Sequence, residues 1–266
     1  MPESPAPSAV LSTGLRRIYG LYVWCTLLAV ALPTLLLLLL TPGLERRRAL
    51  TRGAARLILR LAGLPFEVRQ LEHLPAGQCV VVANHASYLD GLVMKAALPP
   101  RFGFVIKREM NDVPLAGLLL RRIGSEFVER FDRQRGAVDA RRVLRSATRG
   151  QSFVFFPEGT FSHSRGLLKF HAGAFVTAVR VGCPVVPAVI RGTRDSLPAT
   201  GVLPRWRRIE VEILAPLGSP PFAADDAVAQ LRDRTRAVIL ARLGEPDLAR
   251  PASPRSVPSG AGVAND

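Results

Sequence analysis

The chemistry of this chain starts with one histidine and one aspartate, His85 and Asp90, in Asn84-His85-Ala86-Ser87-Tyr88-Leu89-Asp90. A separation of five residues is about 140° around an ideal helix, so the pair would not share a face of one continuous helix. Ser87 changes that geometry. It is a good N-cap, and Asp90 three residues later completes a capping box. His85 then precedes the helix, on a loop that can fold back over the first turn. Asp90 can receive one imidazole N–H and fix the tautomer, which leaves the other ring nitrogen to take a proton. That is a general base with its orienting carboxylate, and the attacking hydroxyl would belong to the substrate. The plainer reading has Asp90 only capping a helix and His85 as an ordinary loop residue. The heptapeptide alone does not separate the two.

The flanking elements favour the chemical reading. Residues 79–83 are a short apolar run and read as a buried strand, and residues 91–98 read as a helix. His85 and Asp90 therefore fall at a strand-to-helix junction, where open α/β sheets keep their ligand sites. The alternation continues along the chain. Strands are expected at 66–69, 102–107, 126–129, 152–156 and 185–190, with an antiparallel-looking edge at 207–214. Helices are expected at 114–123, 137–148, 172–181 and 223–243. This pattern predicts an α/β fold with a layered, largely parallel or mixed sheet flanked by helices.

Ahead of that domain lies an N-terminal membrane-associated helical segment. Residues 1–15 are rich in Pro, Ala and Ser and read as disordered. Residues 21–40 are almost purely apolar and would span about 30 Å as a helix, the thickness of a bilayer core. Pro33 is a possible kink. Arg16 and Arg17 precede the run as in a signal peptide, but its length and the lack of a small-x-small cleavage site favour a retained segment. Between residues 44 and 61, Arg48, Arg52, Arg56 and Arg60 recur every four residues, with Leu50, Ala54, Leu57, Ile58 and Leu61 mostly off that stripe. Such a helix beside a membrane segment reads as interfacial, and the alternative is a soluble core helix with a solvated Arg face. The basic excess after the apolar run places the domain on the cytoplasmic side of the cell (inner) membrane. A spanning helix and a hairpin dipping into one leaflet both fit. The expected organisation is 1–15 disordered, 16–62 anchor and basic helix, 63–244 globular domain, and 245–266 a disordered Pro-, Ser- and Gly-rich tail.

The formal charge of +15 implies anionic partners: a membrane surface, phosphates, acidic carriers or nucleic acid. Cys25, Cys79 and Cys183 make no metal-type spacing and read as buried free thiols in a reducing compartment. No metal is expected.

Three further stretches end predicted strands. Gly124-Ser125-Glu126-Phe127-Val128-Glu129-Arg130 carries an Arg suited to bidentate phosphate recognition, or to an ion pair with Glu129 or Asp132. Phe156-Pro157-Glu158-Gly159-Thr160 forms a turn in which Glu158 can bind substrate or hold a catalytic loop. Lys107 is one of three lysines and either meets the same anion or pairs with Glu109. His163 and His171 are rival bases without a carboxylate at comparable spacing.

In this order the blocks resemble the 1-acylglycerol-3-phosphate acyltransferase (glycerolipid acyltransferase) family. Asn84, His85 and Asp90 match its Asn-His-x-x-x-x-Asp block. Gly124, Phe127 and Arg130 match Gly-x-x-Phe-x-x-Arg, and residues 156–160 match Phe-Pro-Glu-Gly-Thr. Residues 185–190 approximate a fourth, Val-x-Pro-type block. The resemblance covers roughly residues 65–215. It implies O-acyl transfer from acyl-CoA or an acidic acyl-carrier protein, as co-substrate rather than cofactor, to a lysolipid hydroxyl at a membrane. His85 would be the base, oriented by Asp90. The acceptor would be bound by Asn84, Lys107, Gly124, Phe127, Arg130, Glu158, Gly159, Thr160 and Phe161. Phe161 stands where members using lysophosphatidic acid commonly carry Arg, which bears on the head group. The expected product is phosphatidic acid, with a lyso-ornithine lipid or a lysophospholipid as the alternative acceptor. An acyl-enzyme on Ser87 is disfavoured by its capping position. A lipid hydrolase and a non-catalytic membrane- or nucleic-acid-binding protein are the rival classes, and neither accounts for four ordered blocks.

Overall fold

The computed structural model describes residues 7–129, 132–219 and 226–249. In chain order the helices and strands are α1 (Pro7–Leu40), α2 (Leu44–Leu61), β1 (Phe66–Arg69), β2 (Val80–Ala83), α3 (Leu89–Ala97) and β3 (Phe102–Lys107). Then come α4 (Ala116–Arg122), β4 (Glu126–Val128), α5 (Arg133–Thr148), β5 (Ser152–Phe155) and α6 (Gly173–Val181). The last are β6 (Val185–Arg191), α7 (Thr193–Ser196), β7 (Ile209–Ile213) and α8 (Ala227–Leu243).

The seven strands form one mixed sheet in the order β1-β7-β6-β2-β5-β3-β4. The run β6-β2-β5-β3-β4 is parallel, while β7 is antiparallel to β6 and parallel to β1. Strand β2, Val-Val-Val-Ala, is apolar throughout because both its faces are covered. Val81 and Ala83 face a core with α2 and α3, and Val80 and Val82 face a second core with α5, α6 and α8. Helix, sheet and helix thus stack in three layers, and the five parallel strands end at one common edge.

The structure departs from the expectations in five places. Strand β7 is antiparallel as expected but is not an edge, since β1 covers it and Ile209, Val211 and Ile213 are buried. Helix α5 starts at Arg133, before the expected 137, because the Asp132 carboxylate caps it by accepting from the N–H groups of Gln134 and Arg135. Helix α1 starts at Pro7, inside the stretch read as disordered, and residues 1–6 lie outside the described residues. Residues 245–249 pack back on the domain through a bridge between Leu167 and Asp247, and the rest of the expected tail lies outside the described residues. Cys79 and Cys183 are buried, with burial pushing both thiols up to about 11, whereas Cys25 is exposed.

The arginine stripe of α2 is divided: Arg48 is buried and Arg52 half-buried, while Arg56 and Arg60 are exposed. Arg48 is 3% exposed and donates to the carbonyls of Ile123, Arg101 and Gly124 and to Gln151 Oε1. Burial lowers its pKa to about 10. Arg56 donates to the Ala96 carbonyl and Arg52 to that of Ala97, at the C-terminus of α3. Cations there satisfy orphan carbonyls and complement the helix dipole. The four-residue period thus serves the fold through Arg48, Arg52 and Arg56, and leaves Arg56 and Arg60 exposed on the outer face.

Helix α1 lies along the domain. Its segment Gly14–Leu40 has 27 residues with a mean hydropathy of 2.5. Trp24 Nε1 donates to the Val202 carbonyl, Tyr19 Oη to that of Ala62, and Arg122 to those of Leu38 and Leu39. Along the helix these ties run from Tyr19 to Leu39, about 30 Å at 1.5 Å per residue. Leu21, Leu28, Leu32 and Leu36 face outward.

Candidate active site

At the carboxyl edge of the sheet, β2 gives way to the loop that carries His85. Asn84 fastens the end of β2 to β6. Its side-chain Nδ2 donates to the Ile190 carbonyl at 3.0 Å, and its Oδ1 accepts from Ile190 N–H at 2.7 Å. Asn84 is buried, and both ends of its amide are used, so it holds strands together rather than facing an acceptor.

Asp90 is fully buried in the first turn of α3. Its Oδ2 lies 2.8 Å from His85 Nδ1 and accepts the backbone N–H groups of Ala86 at 2.6 Å and Ser87 at 2.8 Å. A carboxylate accepts, so Nδ1 carries the proton in the neutral ring and Nε2 keeps its lone pair. The two backbone bonds fold the loop back over the helix start, the return that lets residues five apart meet. Half of the capping box is as expected: Asp90 reaches back to Ser87 N–H. The Ser87 hydroxyl instead accepts from Leu89 N–H at 3.2 Å and donates to the Leu197 carbonyl at 2.7 Å. Being fully buried and so bonded, it is no nucleophile.

Aromatic rings wall the imidazole. Phe156 stacks on it at 4.5 Å between centroids, and Phe161 meets it edge-on at 4.8 Å. Phe161 also meets Tyr88 at 4.7 Å. Position 161 therefore adds apolar surface beside the base and no cation.

Glu158 works through the backbone. Its Oε1 accepts from His85 N–H at 2.6 Å and its Oε2 from Leu168 N–H at 2.9 Å. It is 4% exposed, and burial pushes its pKa up to about 7 against the pull of these two bonds. Of the two roles open in the sequence, this is the loop-holding one. Gly159 follows with φ at +75°, a left-handed turn that glycine adopts without strain. Thr160 beyond it is exposed.

The second block begins away from the catalytic edge. Gly124 precedes β4, so it lies at the opposite, amino-terminal edge. A Cβ there would fall 2.9 Å from Leu44 and 3.1 Å from the Arg48 guanidinium, so it makes room for Arg48. Phe127 is buried within β4, level with Ile106. At these positions Gly124 makes room for Arg48 and Phe127 packs inside the sheet, so both serve the fold. Arg130 lies outside the described residues.

Lys107 ends β3, level in the sheet with Asn84 and Pro157. It is half-buried, and among the described residues it makes no hydrogen bond or ion pair, with Glu109 or any other group. Its neighbour Arg108 is held by Asp139 at 2.7 Å. His163 and His171 are exposed on the later loop.

Local spacing gave no sign of Arg194. It donates to the carbonyls of Ser162 and Ser164, both at 2.9 Å, and pairs with Glu245 at 3.4 Å. Glu245 also accepts Gly166 N–H at 2.8 Å. Residues far apart in the chain thus clamp the loop that follows Glu158. A cleft of about 550 Å³, lined by Arg48, Arg101, Arg149 and Gln151, lies at the amino-terminal edge, away from His85.

Comparison with known proteins agrees with this geometry. Residues 65–191 match the family described as Acyltransferase. A chloroplastic 1-acyl-sn-glycerol-3-phosphate acyltransferase of Brassica napus is 33% identical over 211 residues, covering 74% of this chain and 60% of that protein. A lyso-ornithine lipid O-acyltransferase of Pseudomonas aeruginosa is 36% identical over 157 residues, covering 57% of each. The human 1-acyl-sn-glycerol-3-phosphate acyltransferase alpha is 34% identical over 179 residues, covering 66% of this chain and 62% of that protein. The chain thus spans about 60% of the length of the curated relatives it matches. In fold it is similar to the crystal structure of the 1-acyl-sn-glycerophosphate acyltransferase PlsC from Thermotoga maritima. The TM-score is 0.74 at 21% identity, covering 87% of this chain and 96% of that one. Residues 65–191 thus carry a domain of the family described as Acyltransferase, and in its ordered blocks and mixed seven-stranded sheet the chain is similar to the 1-acyl-sn-glycerol-3-phosphate acyltransferases.

Proposed function

We propose that this protein is a membrane-bound O-acyltransferase that acylates 1-acylglycerol-3-phosphate to phosphatidic acid, as a step of phospholipid biosynthesis. The observation that carries the reading is His85 Nδ1 held 2.8 Å from the buried Asp90 carboxylate, with Nε2 left as the acceptor. His85 Nε2 takes the proton of the acceptor hydroxyl as its oxygen attacks the thioester carbonyl. Asp90 stabilises the imidazolium that forms. The C–S bond breaks, and the imidazolium returns the proton to the departing thiolate. An ester and a free thiol result, with no acyl-enzyme, in keeping with the bonded hydroxyl of Ser87. Water in place of the lysolipid would make the protein a hydrolase, and the aromatic wall of Phe156 and Phe161 disfavours that course.

Lys107, unpaired among the described residues, is a cation suited to the acceptor phosphate, and Arg130 of the second block is the second such donor in the sequence. The donor is acyl-CoA or acyl-carrier protein, and the charge of +15 suits either. One observation favours a second acceptor class. Phe161 packs on His85 and Tyr88 where a third cation would otherwise contact phosphate, so a lyso-ornithine lipid or a lysophospholipid remains open to the same base.

Helix α1, tied to the domain at Tyr19, Trp24 and its C-terminal end, is read as lying in one leaflet of the inner membrane with its outer leucines in lipid. The catalytic edge then faces the cytoplasm. The test is purified protein with labelled acyl-CoA and a panel of lysolipids, products identified by mass. Acyl transfer to lysophosphatidic acid is expected. Release of free fatty acid without any acylated lipid would overturn the reading.

A further inference from the structure

The loop between α7 and β7 carries side chains with much exposed apolar surface outside the catalytic site. Val202 is 74% exposed, Leu203 36% and Trp206 56%. Arg205, Arg207 and Arg208 alternate with them and are exposed, and only Arg208 has a carboxylate partner, Glu67. Apolar residues interleaved with arginine match a bilayer interface, where acyl chains meet anionic head groups.

The loop is built rather than loose. Arg205 N–H donates to the Ser196 carbonyl at 2.7 Å, and the Ser196 hydroxyl donates to the Arg205 carbonyl at 2.9 Å. Trp206 Nε1 donates to the Gly63 carbonyl at 2.8 Å, so the indole is tied at its polar end and bare on its apolar body. The loop also sits on α1. Trp24 Nε1 donates to the Val202 carbonyl, and a Cβ on Gly20 would fall 2.7 Å from Leu203 Cβ. Its apolar side chains therefore continue the exposed face that α1 presents through Leu21, Tyr22 and Leu28.

We propose that residues 202–208 form a second membrane-contacting element, inserting Val202, Leu203 and Trp206 beside α1 and placing Arg205 and Arg207 against anionic head groups. This rests on the reading of α1 as a membrane anchor. The loop has a direct link to the catalytic turn, because its root residue Leu197 accepts the Ser87 hydroxyl two residues from His85. Lipid contact at the loop thus sets the depth at which His85 meets an acceptor carried by the bilayer.

The experiment uses the full-length protein and its two tryptophans, Trp24 and Trp206. Emission is compared for wild type and Trp206→Phe on vesicles of phosphatidylcholine and phosphatidylglycerol brominated on the acyl chains. Flotation is measured on the same samples. The expected result is a bromine-quenched component in wild type that disappears in Trp206→Phe. Arg205→Gln/Arg207→Gln should bind anionic vesicles roughly tenfold or more weaker. It should raise KM for a vesicle-borne acceptor and leave kcat on a micellar short-chain acceptor unchanged. Wild type that floats while Trp206 is quenched by aqueous acrylamide and not by bromine overturns the loop and spares the anchor. A Trp206 shielded from both quenchers overturns it in favour of a protein cover. Protein that fails to float at all overturns both.

Discussion

Replacing Glu158 with Gln separates a residue that touches the acceptor from one that holds the catalytic loop. The carboxylate accepts two backbone N–H groups, from His85 and from Leu168. A Gln oxygen can serve one of them, and its NH2 then opposes the other. Each hydrogen bond to a charged group contributes about 1.5–3 kcal/mol, and leaving one buried donor unmet costs a similar amount. The loss falls on the backbone of the base itself. A displacement of about 1 Å at a reacting group costs roughly 100-fold in rate. The expected outcome for Glu158→Gln is a kcat lower by about 10- to 100-fold, with KM for the acceptor within about twofold of wild type. A raised KM with kcat intact would refute the positioning role and return Glu158 to the acceptor.

The same substitution has a signature in stability. Burial raises Glu158 from 4.5 to about 7, so the folded state binds a proton that the unfolded state releases in that window. Wild-type stability should therefore fall as pH rises from about 4.5 to about 7, by about 3 kcal/mol from this group alone. Gln does not titrate, so the variant should lack this part of the slope. Thermal melts of both proteins at pH 5 and pH 8 measure it. Parallel pH dependences would show that the carboxyl does not titrate in that window.

Three further outcomes can be checked alongside. His85→Ala should lose roughly 10²–10⁴-fold in kcat while remaining folded and vesicle-bound, and retention of more than about a tenth of the activity would remove it as the base. Lys107→Ala should raise KM for lysophosphatidic acid more than for a lysolipid lacking a terminal phosphate, and Phe161→Arg should shift the kcat/KM ratio toward the phosphate; an unchanged ratio in both variants would show that this edge does not read the head group. Arg48→Met should cut stability by about 3 kcal/mol or more, because four buried acceptors lose a charged donor, and an unchanged melting curve would show that the contacts are dispensable.

The layered α/β plan was legible because burial on both faces leaves runs such as Val80-Val81-Val82, which only a covered parallel strand explains. The His85–Asp90 pair was legible because a serine and an acid three residues apart mark a helix start. What spacing could not supply is direction. A period of four places Arg48, Arg52, Arg56 and Arg60 on one face of α2 but does not say whether that face meets lipid or the end of α3, and three of the four meet backbone carbonyls. Apolar length has the same limit, since it does not distinguish a helix leaving the domain from one fastened along it.

The blocks mix two kinds of residue that a motif does not distinguish. Asn84, Glu158, Gly124 and Phe127 are spent on the protein: on Ile190, on two backbone N–H groups, on Arg48 and on the sheet interior. His85 keeps a lone pair and Lys107 a charge without a partner among the described residues, Thr160 is exposed, and the Phe161 ring lies against His85. The first kind should act on kcat through the position of His85, or on stability. The second should act on acceptor choice. That division follows from which polar atoms already have partners. On the proposed function, the variable part of the reaction, head-group choice, would rest on Lys107, Arg130 and Phe161. The fixed part is the proton path through His85 and Asp90, which the buried acceptors of the first group hold in register.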